Sequence, residues 1–169
     1  MKRKSSETLI HPFPAVYDAE SEILILGSFP SVKSREVNFY YGHPQNRFWK
    51  VMGEIFHETI HDDIEDKKSF CHSHHIALWD VIYSCRITGS SDASIRDVRV
   101  NDFNGLLKKT KIRHIFLNGK TAGKLFEKYG DCDMAYSILS STSPANAVKH
   151  LEDLVEEYGK VKEVLDEEN

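Results

Sequence analysis

Two short segments of the 169-residue chain place an asparagine two positions after a proline: Pro44-Gln45-Asn46 and Pro144-Ala145-Asn146. Proline is favoured at the first position of a helix, so each segment reads as a helix start with its asparagine in the first turn. Side chains tilt back toward a helix's N-terminus, which turns both amides toward whatever precedes the helix. An amide does not ionise near neutrality, so neither group can serve as a general base in the way a carboxylate or imidazole can. Such an amide can still orient a water or a substrate group. The free N–H groups at the two helix starts favour an anion such as a phosphate. The local alternative is that both amides only cap their own helices.

Other residues carry competing chemistry. His57-Glu58-Thr59-Ile60-His61 matches H-E-x-x-H, which on a helix sets two imidazoles on one face for zinc, with the glutamate as base. It runs directly into Asp62-Asp63-Ile64-Glu65-Asp66 and brings no third ligand, so a zinc-dependent hydrolase stands as an alternative. Cys71-His72-Ser73-His74-His75 lacks the paired spacing of a metal site. Asn118-Gly119-Lys120-Thr121 is like the end of a phosphate loop, but His114 occupies the place of the upstream glycine. A nonenzymatic α/β module that binds nucleotides or nucleic acid is the second alternative.

The elements that must position these residues alternate along the chain. Ile23-Leu24-Ile25-Leu26 is wholly apolar and ends at Gly27, as expected for a strand covered on both faces. Similar runs are Ile76-Ala77-Leu78 leading into Trp79-Asp80, residues 112–117 ending at Asn118-Gly119, and residues 136–139 ending in Ser140-Ser141-Thr142. Between them, Phe48, Val51, Met52, Ile55 and Phe56 follow helical spacing after Pro44, and residues 121–128 read as a helix. Leu151, Leu154, Val155, Tyr158, Val161 and Leu165 form a last stripe, with Ser143 as expected N-cap and Pro144 at the first helical position. This order predicts a parallel sheet with helices on both faces, whose ligands bind beyond the carboxyl ends of the strands.

Length and composition bound the rest. One core and one domain, residues 1–169, are expected, with a short polar N-terminal arm over about 1–10. No apolar run approaches a membrane span, and no hydrophobic signal core follows Lys2-Arg3-Lys4, so the reading is a soluble cytoplasmic chain. Cys71, Cys85 and Cys132 are too few and scattered for a disulfide framework and fall one short of an all-cysteine four-iron cluster. The net charge of −4 argues against a nucleic-acid partner until its distribution is considered. Residues 25–52 carry Lys33, Arg35, Arg47 and Lys50 against Glu36 alone, while residues 151–169 carry eight acidic and two basic groups. Positive and negative regions are segregated.

The run Gly27-Ser28-Phe29-Pro30-Ser31 through Tyr40-Tyr41-Gly42-His43-Pro44-Gln45-Asn46-Arg47-Phe48-Trp49, with Ser141-Thr142-Ser143-Pro144-Ala145-Asn146-Ala147, resembles the uracil-DNA glycosylase superfamily. Within it the chain is most like the hypoxanthine (deoxyinosine) DNA glycosylase branch. The likeness extends from about His11-Pro12-Phe13-Pro14 to the C-terminal helix, with Ala77-Leu78-Trp79-Asp80 and Asn118-Gly119 in family-like places. It implies a three-layer α/β/α sandwich with a central, mainly parallel four-stranded sheet. It also implies monofunctional cleavage of the N-glycosidic bond to a deaminated base, hypoxanthine ahead of uracil, without a metal or redox cofactor. Mismatch-specific uracil glycosylases carry asparagine immediately after the first-motif glycine, where this chain has Ser28. The hypoxanthine branch shares that substitution, and the resemblance carries the catalytic role to Asn46.

The same resemblance implies that Tyr41 stacks on an extruded base. Extrusion costs a few kcal/mol, and stacking on an aromatic ring returns roughly 1 to 3 kcal/mol per base. Asn118, ending the third predicted strand, offers a donor and an acceptor to a base edge. Gly27, Ser28 and Phe29 complete the expected base site, their backbone amides polarising the leaving base. The expected DNA contacts are Lys33, Arg47, Ser141, Thr142, Ser143 and Asn146, with Phe48 and Trp49 assigned to the core. The partner expected is DNA containing a deaminated base, met by a monomer and without a membrane.

Overall fold

The structure is a computed structural model that describes residues 7–88 and 94–167. Four short strands form a parallel sheet in the order β3-β2-β6-β7: β2 (Ile23–Gly27), β3 (Ile76–Asp80), β6 (His114–Asn118) and β7 (Tyr136–Leu139). All four expected strands are present. Ile25 pairs with Leu78 on one side and Phe116 on the other, so β2 lies in the middle. Ile23, Leu24, Ile25 and Leu26 have no solvent exposure, which is why this run reads as uninterrupted hydrophobicity and not as alternation.

The two faces of the sheet collect different helices. Ile23, Ile25, Leu78 and Phe116 meet α2 (Phe48–Phe56), α3 (Ile64–Ser73) and α6 (Leu151–Asp166) in one core. Leu24, Leu26, Ile115 and Leu117 meet α4 (Phe103–Lys108) and α5 (Lys120–Tyr129) in the other. The result is the expected three-layer α/β/α sandwich. A further short helix, α1 (Val32–Val37), follows β2. No helix among the described residues is long and apolar enough to cross a membrane.

Beside this sandwich lies a second sheet that the sequence reading did not anticipate. β1 (Glu7–Ile10), β4 (Ile82–Ile87) and β5 (Arg96–Val100) pair antiparallel in the order β1-β4-β5. Residues 7–10, read as part of a polar arm, are therefore an edge strand. A small core of Ile82, Cys85 and Ile87, packed against Leu9, Phe29 and Val98, holds the sheet together. Only Val81 separates β4 from β3, and its N–H donates to the Gly27 carbonyl.

Two helix starts also differ from expectation. The segment at Pro44 is a turn, and α2 begins at Phe48, whose N–H is capped by the Asn46 side chain at 2.9 Å. The segment at Ser143 and Pro144 is a loop, and α6 begins at Leu151, where His150 and Asp153 form a reciprocal cap. Arg47 donates to the carbonyls of Ser143 and Asn146 and so holds this segment in a turn, closed by the Asn146 N–H on the Ser143 carbonyl, in place of a helix.

Candidate active site

The four parallel strands end at Gly27, Asp80, Asn118 and Leu139. The loops beyond these tips enclose a cleft of about 1010 Å³. Gly27, Ser28, Phe29, Lys33, Tyr41, Asn46, Asn118, Ser141, Thr142, Ser143 and Asn146 all line it. Of the residues singled out from the sequence, only Arg47 is missing from its walls.

At the centre two amides are joined through one hydroxyl. Thr142, which has no solvent exposure, donates its O–H to Asn46 Oδ1 at 2.8 Å and accepts from Asn118 Nδ2 at 3.0 Å. The Thr142 N–H donates to Asn118 Oδ1, also at 3.0 Å. Each contact fixes which way an amide faces. Asn46 Oδ1 already accepts from Thr142 and from the Phe48 N–H, so both lone pairs of that carbonyl are in use. What Asn46 can present to a ligand is its NH₂ group, a donor. Beyond these two bonds Asn118 has one amide hydrogen and one lone pair, and its side chain also reaches the Tyr41 hydroxyl. Thr142, expected to meet DNA, lines the cleft and joins the two amides.

Tyr41 stands beside this pair. It adopts a left-handed backbone conformation, φ 55°, uncommon for a bulky residue. The turn is clamped by the Gly42 N–H, which donates to the buried Ser34 hydroxyl at 3.0 Å. A Cβ on Gly42 would lie 2.4 Å from Val37, so only glycine lets this turn approach α1. The Tyr41 ring stacks on Phe48, with centroids 4.1 Å apart and planes 27° apart. Its hydroxyl is buried and makes no hydrogen bond of normal geometry among the described residues. Burial, followed by the charge of Asp80, pushes the phenols of Tyr41 and Tyr40 well above the ordinary tyrosine range. Both are neutral at physiological pH.

The remaining expected contacts divide. The Phe29 ring turns inward, edge-on to His11 and under the Arg35 guanidinium. Ser141 and Ser143 accept N–H groups of their own loop, and Asn146 donates to the Ser141 carbonyl. Lys33 borders the cleft but pairs with Glu36 at 3.1 Å. Arg47 differs most from expectation. Its backbone N–H and Nε reach the Thr142 carbonyl, and its guanidinium donates to the carbonyls of Ser143, Asn146 and Lys149. It fastens the 142–149 loop to the start of α2.

Sequence reasoning missed several residues of the cleft: Asp80, His43, Lys120, Val148 and Lys149. Asp80 ends its strand just as Gly27 and Asn118 end theirs, which was a usable signal. Val148 is 83% exposed, unusual for valine. The H-E-x-x-H segment is not helical: His57 is the left-handed C-cap of α2, and Glu58 instead pairs with His74. The two imidazoles therefore do not share a helix face.

A family model of the uracil DNA glycosylase superfamily matches residues 14–165. A protein named hypoxanthine DNA glycosylase from Methanosarcina acetivorans is 40% identical over 136 residues, 79% of this chain and 86% of its own length. One of the same name from Methanosarcina barkeri is 34% identical over the same shares. The solution NMR structure of a uracil DNA glycosylase candidate from Methanosarcina acetivorans superimposes with a TM-score of 0.73 at 35% identity, covering 91% of this chain and 99% of that one. With that match spanning both faces of the sheet and every strand tip of the cleft, the chain belongs to the uracil DNA glycosylase superfamily.

Proposed function

We propose that this protein is a monofunctional DNA glycosylase of base-excision repair, a single-domain cytoplasmic monomer that releases a deaminated base, hypoxanthine in preference to uracil. The observation that carries the reading is the Asn118–Thr142–Asn46 chain at the strand tips, facing the same cleft as Tyr41. The relatives named for hypoxanthine support the preferred base.

The reaction asks for positioning more than for proton transfer. As the bond between C1′ and the base breaks, its electron pair leaves with the base and positive charge develops on the sugar. A water oxygen bonds to C1′, and the proton it loses balances the departing base. Asn46, with its carbonyl committed, holds that water by donating an N–H to its oxygen. Tyr41, backed by Phe48, supplies a rigid face for the extruded base. Ser28 and Phe29 line the same cleft, where backbone N–H groups would polarise the leaving base. Lys33, Lys120 and Lys149 border it as phosphate partners, together with the hydroxyls of Ser141 and Ser143.

The test is single-turnover base release from DNA carrying deoxyinosine or deoxyuridine, with a chelator present throughout. Asn46→Ala is expected to lose about 10²- to 10³-fold in rate, the usual loss for one oriented dipole. Its melting temperature falls by several degrees without loss of the fold, through the lost cap on Phe48 and the buried Thr142 hydroxyl left without its acceptor. A near-normal rate in that variant removes Asn46 from the chemistry. Binding without any bond cleavage returns the protein to the class of nonenzymatic modules.

A further inference from the structure

Asp80 is the one carboxylate that lines the cleft among the described residues. Its residue is 4% exposed. Oδ2 lies 2.7 Å from His11 Nε2. Oδ1 takes no hydrogen bond among the described residues and turns to the cleft beside Gly27, where an added Cβ would lie only 2.5 Å from it. His11 comes from the segment after β1, and its ring meets Phe13 and Phe29 edge-on, with Tyr40 tilted against it.

The other ring nitrogen decides what this pair can do. His11 Nδ1 is 2.7 Å from the Phe13 carbonyl, which can only accept, so Nδ1 carries a proton. One further proton lies between Nε2 and Oδ2. If it sits on nitrogen, the pair is imidazolium and carboxylate; if it sits on Oδ2, the pair is imidazole and carboxylic acid. In both arrangements Oδ1 has no hydrogen and can only accept.

Deamination changes a base in the matching way. Adenine and cytosine carry a bare ring nitrogen on their pairing edge; hypoxanthine and uracil carry an N–H there. We propose that Asp80 Oδ1 accepts this N–H and so selects the deaminated base, and that His11, itself held by the Phe13 carbonyl, is a positioning residue that anchors Oδ2 and leaves Oδ1 to the base. The proposal rests on the glycosylase reading and adds to it the group that separates hypoxanthine from adenine and uracil from cytosine. Guanine carries the same ring N–H, so Asp80 does not separate it from hypoxanthine.

Without His11 the carboxylate loses its anchor at Oδ2 and is free to rotate, so Oδ1 no longer meets the base edge in one fixed orientation. The titratable groups facing the pair are Tyr40 and Tyr41, both held neutral, and the cleft further carries Lys33, His43, Lys120 and Lys149. His43 is present in all the variants compared, so its own titration is common to them.

The experiment measures kcat/KM for base release from matched DNA containing deoxyinosine or deoxyadenosine, between pH 5.5 and 8. Wild type, Asp80→Asn, His11→Phe and His11→Gln are compared. The wild-type ratio of hypoxanthine to adenine is expected to stay flat with pH. Asp80→Asn, whose amide can turn a donor to the cleft, lowers the ratio about 10²-fold at every pH. His11→Phe lowers it at every pH, because the unanchored carboxylate no longer holds Oδ1 toward the base. His11→Gln, which keeps an N–H for Oδ2, restores much of the ratio and covers the case in which His11→Phe does not fold. If wild type releases hypoxanthine but the ratio is unchanged in Asp80→Asn, or is no lower in His11→Phe than in His11→Gln when both fold, the selection role is overturned and the glycosylase reading stands. If wild type releases no deaminated base, both fall.

Discussion

Thr142 shows how much of the site depends on a side chain with no solvent exposure of its own. Its hydroxyl gives its hydrogen to Asn46 and receives one from Asn118, so one buried oxygen sets the orientation of two amides. Valine has nearly the same shape and none of this capacity. Thr142→Val leaves an Asn118 amide hydrogen unsatisfied and frees Asn46 to turn, which is expected to cost about 1 to 3 kcal/mol of stability. Misplacement of a catalytic group by about 1 Å can cost roughly 10²-fold in rate, so base release should fall by a comparable factor. Thr142→Ser keeps the hydroxyl and should remain within about tenfold of wild type. Thermal melting and single-turnover rates on deoxyinosine DNA test both, and a fully active Thr142→Val variant would mean the amides are aligned by something else.

At the scale of elements, the parallel strands were legible because burial on both faces leaves no alternation to misread. Ile23-Leu24-Ile25-Leu26 is continuous for that reason. β4 was missed for the opposite reason: its pattern of buried and exposed residues is irregular, and its pairing with β5 shifts register twice. The site residues at strand tips could be read locally, Asp80 among them, whereas the partners of Arg47 and Asp80 could not. Arg47 acts on carbonyls 95 to 102 positions away, and Asp80 owes its orientation to His11, 69 positions away. The Arg47 fork holds the 142–149 loop, and lysine cannot reproduce its planar spread of donors. Arg47→Ala is therefore expected to raise KM for DNA and reduce kcat/KM by about tenfold or more, with partial rescue by free guanidinium. Failure of guanidinium to restore any activity would argue against the clamp. The same loop carries Val148, an apolar side chain at the cleft's rim. Apolar wedges at a DNA surface help to unstack a base step. Val148→Ala should slow release from paired duplex more than from single strands, and an equal effect on both would deny it that role.

Across the whole molecule, the net charge of −4 and a DNA substrate are reconciled by where the charges lie. The acidic helix α6 packs on the α2 side of the sheet, whereas the cleft mouth carries Lys33, Lys120 and Lys149. Lys120 opens α5, a ten-residue helix whose free N–H groups add to the attraction for phosphate. Lys33 shares its charge with Glu36, with both side chains about half exposed, so it contributes less than the other two. Binding to duplex DNA releases close to one counterion per neutralised phosphate, and log Kd should therefore rise with log salt at a slope of about 2. Lys149→Ala and Lys120→Ala should each lower that slope by about 1 and weaken binding to damaged and undamaged DNA alike, because phosphates carry no base identity. The double variant should bind almost independently of salt while keeping its preference among bases. A slope that survives in the double variant would place the phosphate track on another face of the protein, such as the basic strand β5 with Arg96 and Arg99.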